Sequence, residues 1–103
     1  MQIDKLRGEQ LDRFFDAILS LKNRDECYQF FDDVATMSEI QSLSQRLQVA
    51  KMLRDGHTYS VIDKETNAST ATISRVRRCI KYGSDGYDLV LKRLDEKNIS
   101  DNE

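Results

Sequence analysis

Apolar positions along this chain recur at helical spacing. Leu11, Phe14, Phe15, Ile18 and Leu19 fall at i, i+3, i+4, i+7 and i+8, which sets them on one helix face. Lys22-Asn23-Arg24 interrupts that run, and Asp25 and Glu26 suit the first turn of a second helix, where carboxylates favour the positive end of the dipole. Cys27, Phe30, Phe31 and Val34 then repeat the spacing. Thr36-Met37-Ser38-Glu39 has the form of a capping box. It predicts a short helix, followed by another carrying Leu47, Ala50 and either Leu53 or the stem of Arg54, with Gly56 ending it in the left-handed conformation. Tyr59 to Asp63 tolerates a strand, but its flanking caps favour helix, and no segment alternates convincingly at a period of two. The pattern predicts an all-α fold. The expected organisation is a single helical domain over residues 1–94 and a flexible charged tail over 95–103, with Ile99 its one apolar residue.

The two aromatic pairs give more apolar surface than one small partner helix would cover. Phe14, Phe15, Ile18, Phe30 and Phe31 form either a local two-helix core or a subunit interface, and the second reading is preferred because large apolar patches usually meet a partner.

Composition bounds the function. At 103 residues the chain makes one small domain at most. No apolar run is long enough to cross a membrane, and Met1-Gln2-Ile3-Asp4 lacks the marks of a secretion signal, so a cytoplasmic protein is expected. Cys27 and Cys79 are too few for a disulfide framework and are expected as small buried residues. One histidine, His57, and two distant cysteines do not form a zinc site, so no metal or cofactor is expected. Asp32 and Asp33 are adjacent, and neighbours on a helix point apart. With no phosphate loop and no nucleophile beside a base, the chain is not expected to be an enzyme.

The net charge of −2 argues at first against nucleic acid. Its distribution reverses that. Residues 1–43 hold five Lys/Arg against nine Asp/Glu, for −4; residues 44–82 hold eight against three, for +5; residues 83–103 hold three against six, for −3. A basic centre lies between two acidic arms.

That centre has the pattern of a helix-turn-helix over about 58–82. Thr58 can cap a short helix that turns Tyr59 and Ile62 inward, and Asn67 tolerates the left-handed backbone of a tight turn. Ala68 is small where two helices must approach. Ser69 can cap a second helix, Thr70 to Tyr82, with Ile73, Val76 and Ile80 as its buried stripe and Gly83 closing it. The rest of its N-terminal half is Thr70, Ala71, Thr72 and Ser74. Short residues let a backbone approach base edges in the major groove, hydroxyls donate or accept there, and methyl groups meet the thymine methyl. Arg75, Arg77, Arg78 and Lys81 follow, suited to phosphates. A sequence-specific binder of double-stranded DNA is the leading reading. The alternatives are a protein-interaction module with a vestigial helix-turn-helix, and a binder of structured RNA.

From about residue 10 to 94 the chain resembles the Trp repressor superfamily. Ala71-Thr72-Ile73-Ser74-Arg75 is similar to the start of that family's recognition helix, and Met37-Ser38-Glu39-Ile40 through Leu53 to the helix pair before it. Arg46 to Lys51, Gly56-His57-Thr58-Tyr59 and Tyr82-Gly83-Ser84-Asp85-Gly86-Tyr87 resemble an uncharacterised Trp-repressor-related branch of Gram-positive bacteria. The resemblance implies an intertwined all-α homodimer that regulates transcription, with the N-terminal helices interlocked and two reading heads on one face. It implies base-edge contacts from Ser69, Thr70, Ala71, Thr72 and Ser74, with Ser60 and Lys64 adding weaker contacts at the phosphates.

The resemblance also implies an effector pocket at Arg46, Arg75, Val76 and Cys79. In the family two arginines sandwich the indole ring of tryptophan. Arg75 matches one, and Arg46 matches the other with one residue missing before the reading head. The family's next residue is a glycine that admits the ring, followed by a serine for the ligand's polar end. Here Val76 and Cys79 stand in those places. A β-branched side chain obstructs a flat ring, and a thiol is a weak substitute for a hydroxyl donor. The effector is therefore expected to be something other than L-tryptophan. Isothermal calorimetry should find no saturable tryptophan binding at micromolar concentration; a saturable isotherm there would overturn the expectation.

Overall fold

The computed structural model describes the backbone of residues 1–102 and the side chains of residues 1–97. Among the described residues the secondary structure is wholly helical. A short 3-10 helix, Gln2–Leu6, precedes α1 (Glu9–Leu19), α2 (Arg24–Val34), α3 (Met37–Arg54), α4 (Tyr59–Thr66), α5 (Thr70–Tyr82) and α6 (Gly86–Asn102). No described helix is long and apolar enough to cross a membrane. The chain divides into two compact units, Met1–Gln41 and Ser42–Glu103.

In the first unit the helix starts follow the expected chemistry. The Asn23 side chain accepts from the Glu26 backbone N–H, and the Glu26 carboxylate accepts from the Lys22 N–H, each at 2.9 Å. The Thr36 capping box is present in both directions: the Thr36 N–H donates to the Glu39 carboxylate at 2.9 Å, and the Glu39 N–H donates to the Thr36 hydroxyl at 3.1 Å. These bonds hold the Glu39 carboxyl below its ordinary pKa, with the Thr36 backbone N–H the larger cause. The phenylalanine rings form a chain, with centroids 6.1 Å apart for Phe14 and Phe15, 6.1 Å for Phe14 and Phe30, and 5.4 Å for Phe30 and Phe31. Yet no residue of this unit is buried. Phe14, Ile18, Phe30 and Phe31 are half-buried, and Phe15 and Leu19 are exposed.

The second unit holds the core. Val49, Ala50 and Met52 of α3, Ile62 of α4, Ala68 of the turn between α4 and α5, Ile73 and Val76 of α5, and Leu91 of α6 are buried together. Leu47, Leu53, Tyr59, Ile80 and Tyr87 pack around them half-exposed. Gly56 follows α3 at φ +89°, as its left-handed role requires. At the end of α5, a Cβ on Gly83 would run into the Cys79 carbonyl oxygen, which explains a glycine there.

Two expectations change. The helix pair expected over 37–54 is the single helix α3, because nothing between Ile40 and Leu47 breaks the backbone ladder. Cys27 and Cys79 are both exposed. Cys27 lies on a helix that buries nothing, and Cys79 is one residue, or about 100° of helix rotation, from Ile80 at the edge of the α5 stripe. The last helix, α6, runs to Asn102, and no glycine or proline follows Gly86. The surroundings of Ile99, and Glu103 itself, lie outside the described residues.

Ile73 is fully buried, so Ile73→Ala removes core contacts that cannot be recovered locally. It should cost about 2–5 kcal/mol in thermal unfolding followed by circular dichroism. Asn67→Gly, at a left-handed position, should leave the transition almost unmoved. Equal losses for the two would contradict this description of the core.

Candidate nucleic-acid interface

The site is built from the turn outward. Asn67 takes φ 60° and ψ 15°, and its N–H donates to the Asp63 carbonyl at 2.8 Å, so the chain leaves α4 in a left-handed step. Asparagine tolerates that geometry at little cost. Ala68, next in line, is 1% exposed, which fits its expected place where two helices approach. Thr66 fastens the turn: its hydroxyl donates to the Ile62 carbonyl at 2.7 Å and accepts from the Ala68 N–H at 3.1 Å. The Gln45 amide of α3 donates to the Thr66 carbonyl at 3.0 Å. Neither Gln45 nor Thr66 was legible as a turn-holding residue. Thr66 carries a weak signal, a hydroxyl just before a left-handed asparagine, but a bond across 21 residues has no local signature.

Both helices of the pair are capped as expected. The Thr58 hydroxyl accepts from the Val61 N–H at 3.3 Å, and the Ser69 hydroxyl from the Thr72 N–H at 3.2 Å. The Ser69 hydroxyl also donates to the Thr72 hydroxyl at 3.2 Å. Ser69 is thus largely committed to its cap, while the Thr72 hydroxyl retains its proton for an outside acceptor.

The expected site residues fall on three sides of α5. Ile73 and Val76 point into the core, with Ile80 half-buried beside them. Thr70, Ala71, Ser74, Arg75, Arg77, Arg78 and Lys81 are exposed, as are Ser60 and Lys64 on α4, and Thr72 is half-buried. There is no carboxylate between Thr70 and Tyr82. Among the described residues the ion pairs are Met1 with Asp4, Arg7 with Asp4 and Lys51 with Asp55, so none occupies a cation of α5. Tyr59 adds a contact that sequence reasoning missed. Its hydroxyl meets Arg77, and to a lesser degree Ser74, and the guanidinium holds the phenol below its ordinary pKa against the opposing effect of desolvation. This ties the start of α4 to the cationic flank of α5.

The expected effector residues do not form one open wall. Val76 is 1% exposed and belongs to the core. The Arg46 guanidinium turns back along its own helix, donating to the Ser42 carbonyl at 3.3 Å and the Ser42 hydroxyl at 3.2 Å. Arg46 and Cys79 both act on the half-buried Tyr87, whose phenol is raised chiefly by burial, with Arg46 opposing and Cys79 adding. Arg75 is exposed on α5.

Comparison with known proteins places this geometry. Residues 9–95 match the family model described as Trp repressor protein. The uncharacterized protein YerC of Bacillus subtilis strain 168 is 64% identical over 96 residues, spanning 93% of this chain and 92% of that protein. A crystal structure of a "putative Trp repressor" from Staphylococcus aureus superposes with a TM-score of 0.90 at 63% identity, covering 92% of this chain and 95% of that one. The TrpR-like protein of Eubacterium eligens ATCC 27750 gives 0.87 at 58% identity, covering 89% and 95%.

The turn lock can be tested. Thr66→Val leaves the Ala68 N–H without its acceptor, which should cost about 1–3 kcal/mol and speed hydrogen exchange at that amide. Thr66→Ser should retain wild-type protection. Unchanged exchange in the valine variant would show that the hydroxyl does not hold the turn.

Proposed function

The chain belongs to the Trp repressor protein family, and from that premise we propose that it is a dimeric, sequence-specific DNA-binding regulator of transcription, acting in the cytoplasm. The observation that carries the reading is the layout of α5. A capped N-terminus presents Thr70, Ala71 and Ser74, exposed and small, and four exposed cations follow without a carboxylate among them. Ser69, Thr70, Ala71, Thr72 and Ser74 meet base edges in the major groove. Arg75, Arg77, Arg78 and Lys81, with Ser60 and Lys64, meet phosphates and set register.

Dimerisation is supported by the first unit, which has four phenylalanines and no buried residue. Burying one such side chain is worth about 1.5–3 kcal/mol. A second copy covering Phe14, Phe15, Ile18, Phe30 and Phe31 supplies the core this segment lacks, and two reading heads then meet two half-sites. An effector other than L-tryptophan is supported by Val76, which fills the core where the family opens a slot for the ring, and by Arg46, which is engaged with Ser42.

Fluorescence anisotropy on a site selected from genomic fragments tests the reading. Binding should weaken by orders of magnitude between about 50 and 200 mM salt. Arg78→Ala should weaken binding to selected and scrambled DNA alike. Thr72→Ala should cost about 1–3 kcal/mol on the selected site and little on scrambled DNA. Identical effects of both variants on both DNAs would overturn the division of roles, and no binding at low salt would overturn the function.

A further inference from the structure

The second unit carries a depression of about 420 Å³, half-open to solvent. Its floor is apolar: Leu53 of α3, Ile80 of α5 and Tyr59 of α4, all half-buried. Its rim is cationic, with Arg54 from the end of α3 and Arg77 and Lys81 from α5. Residues from helices more than twenty positions apart in sequence therefore surround one floor, which a run of charges along a single helix would not produce. Gly56 adds no side chain to the wall, so the mouth stays open.

The charge here is unbalanced. Asp88 is the one carboxylate lining the depression, against three permanent cations. Among the described residues no ion pair joins Asp88, or any other acid, to Arg54, Arg77 or Lys81. The neighbouring Lys51 does find a partner, in Asp55 at 2.7 Å, so pairing is available on this surface and bypasses the rim. At the mouth the Tyr59 phenol is lowered chiefly by its hydrogen bond with Arg77, with smaller contributions from Ser74 and from the charges of Arg77 and Lys81. The depression is separate from the region around Arg46, Cys79 and Tyr87, none of which lines it.

We propose that this depression binds a small organic anion with an apolar body, its ring or chain on Leu53, Ile80 and Tyr59 and its charged end on Arg54, Arg77 and Lys81. The volume lies within the range of small-molecule sites, and an apolar floor with a few convergent polar groups is their usual construction. A carboxylate and a phosphate ester share the required chemistry. Arg77 and Lys81 are also among the cations assigned to DNA phosphates, so the bound anion opposes DNA binding. That second half rests on the DNA-binding reading, whereas the binding half does not.

The test titrates the full chain, free of DNA, with phenyl phosphate, phenylacetate, inorganic phosphate and benzyl alcohol, following backbone amides by NMR. Phenyl phosphate or phenylacetate should give saturable shifts centred on residues 53–59 and 77–81, and whichever binds tighter identifies the charged end. Inorganic phosphate and benzyl alcohol, each lacking one half of the ligand, should bind at least about tenfold more weakly. Arg54→Gln and Lys81→Gln should each weaken the preferred anion about fivefold or more, with Lys92→Gln, an exposed lysine outside the depression, changing it less than about twofold. Non-saturating shifts, equal binding of inorganic phosphate, or an equal effect of Lys92→Gln would overturn the site. At matched ionic strength the preferred anion should then raise the dissociation constant for DNA in the wild type and much less in Arg54→Gln; an equal rise in both would overturn the antagonism and leave the site standing. If DNA binding itself is absent, the titration still decides the site.

Discussion

The tight turn between α4 and α5 is the constraint on which the rest depends. Ala68 is buried, so there is no room for a longer side chain between the two helices. Asn67 turns the chain left-handed to bring Ala68 there, and Thr66 satisfies the Ala68 N–H that burial would otherwise orphan. With that turn fixed, Ile62 and Ile73 meet in one core with Val49 and Ala50 of α3, and the rotation of α5 about its axis is set. The burial of Ile73 and Val76 is what leaves Ala71, Ser74 and Arg78 facing outward. The outward face of α5, which the proposed function assigns to DNA, thus follows from packing on the opposite side of the same helix.

Charge is organised to the same end. An overall −2 conceals a +5 central segment, and among the described residues no ion pair involves a cation of α5 while Lys51 and Arg7 find carboxylate partners. Unpaired exposed cations contribute little to folding, since even paired ones at a surface are worth at most about 1 kcal/mol. In the proposed function they meet phosphates, where displaced counterions supply the free energy. Tyr59 links this flank to the start of α4 through Arg77.

Much of this was legible in the sequence because the controlling interactions are local. Caps at Thr36, Thr58 and Ser69, the left-handed Asn67 and Gly56, and the stripe Ile73–Val76–Ile80 all follow from residues within a turn or two of each other. What was not legible depends on distant residues. The Gln45 bond to the turn, the meeting of Tyr59 with Arg77, and the approach of Arg46 and Cys79 to Tyr87 need the packed helices before they exist. Cys27 and Cys79 are exposed, against the general habit of cysteine, because the rotation of each helix sets where they lie. The expected break within 37–54 does not occur, because the helical backbone runs uninterrupted from Met37 to Arg54 with no glycine or proline in it.

The central claim is that two copies of α5 enter successive major grooves on one face of a duplex. Hydroxyl-radical footprinting of the full chain on a selected site measures this directly. The account predicts two protected patches related by a two-fold axis and centred about 10–10.5 base pairs apart. One patch of half that extent, or even protection without phase, would contradict it.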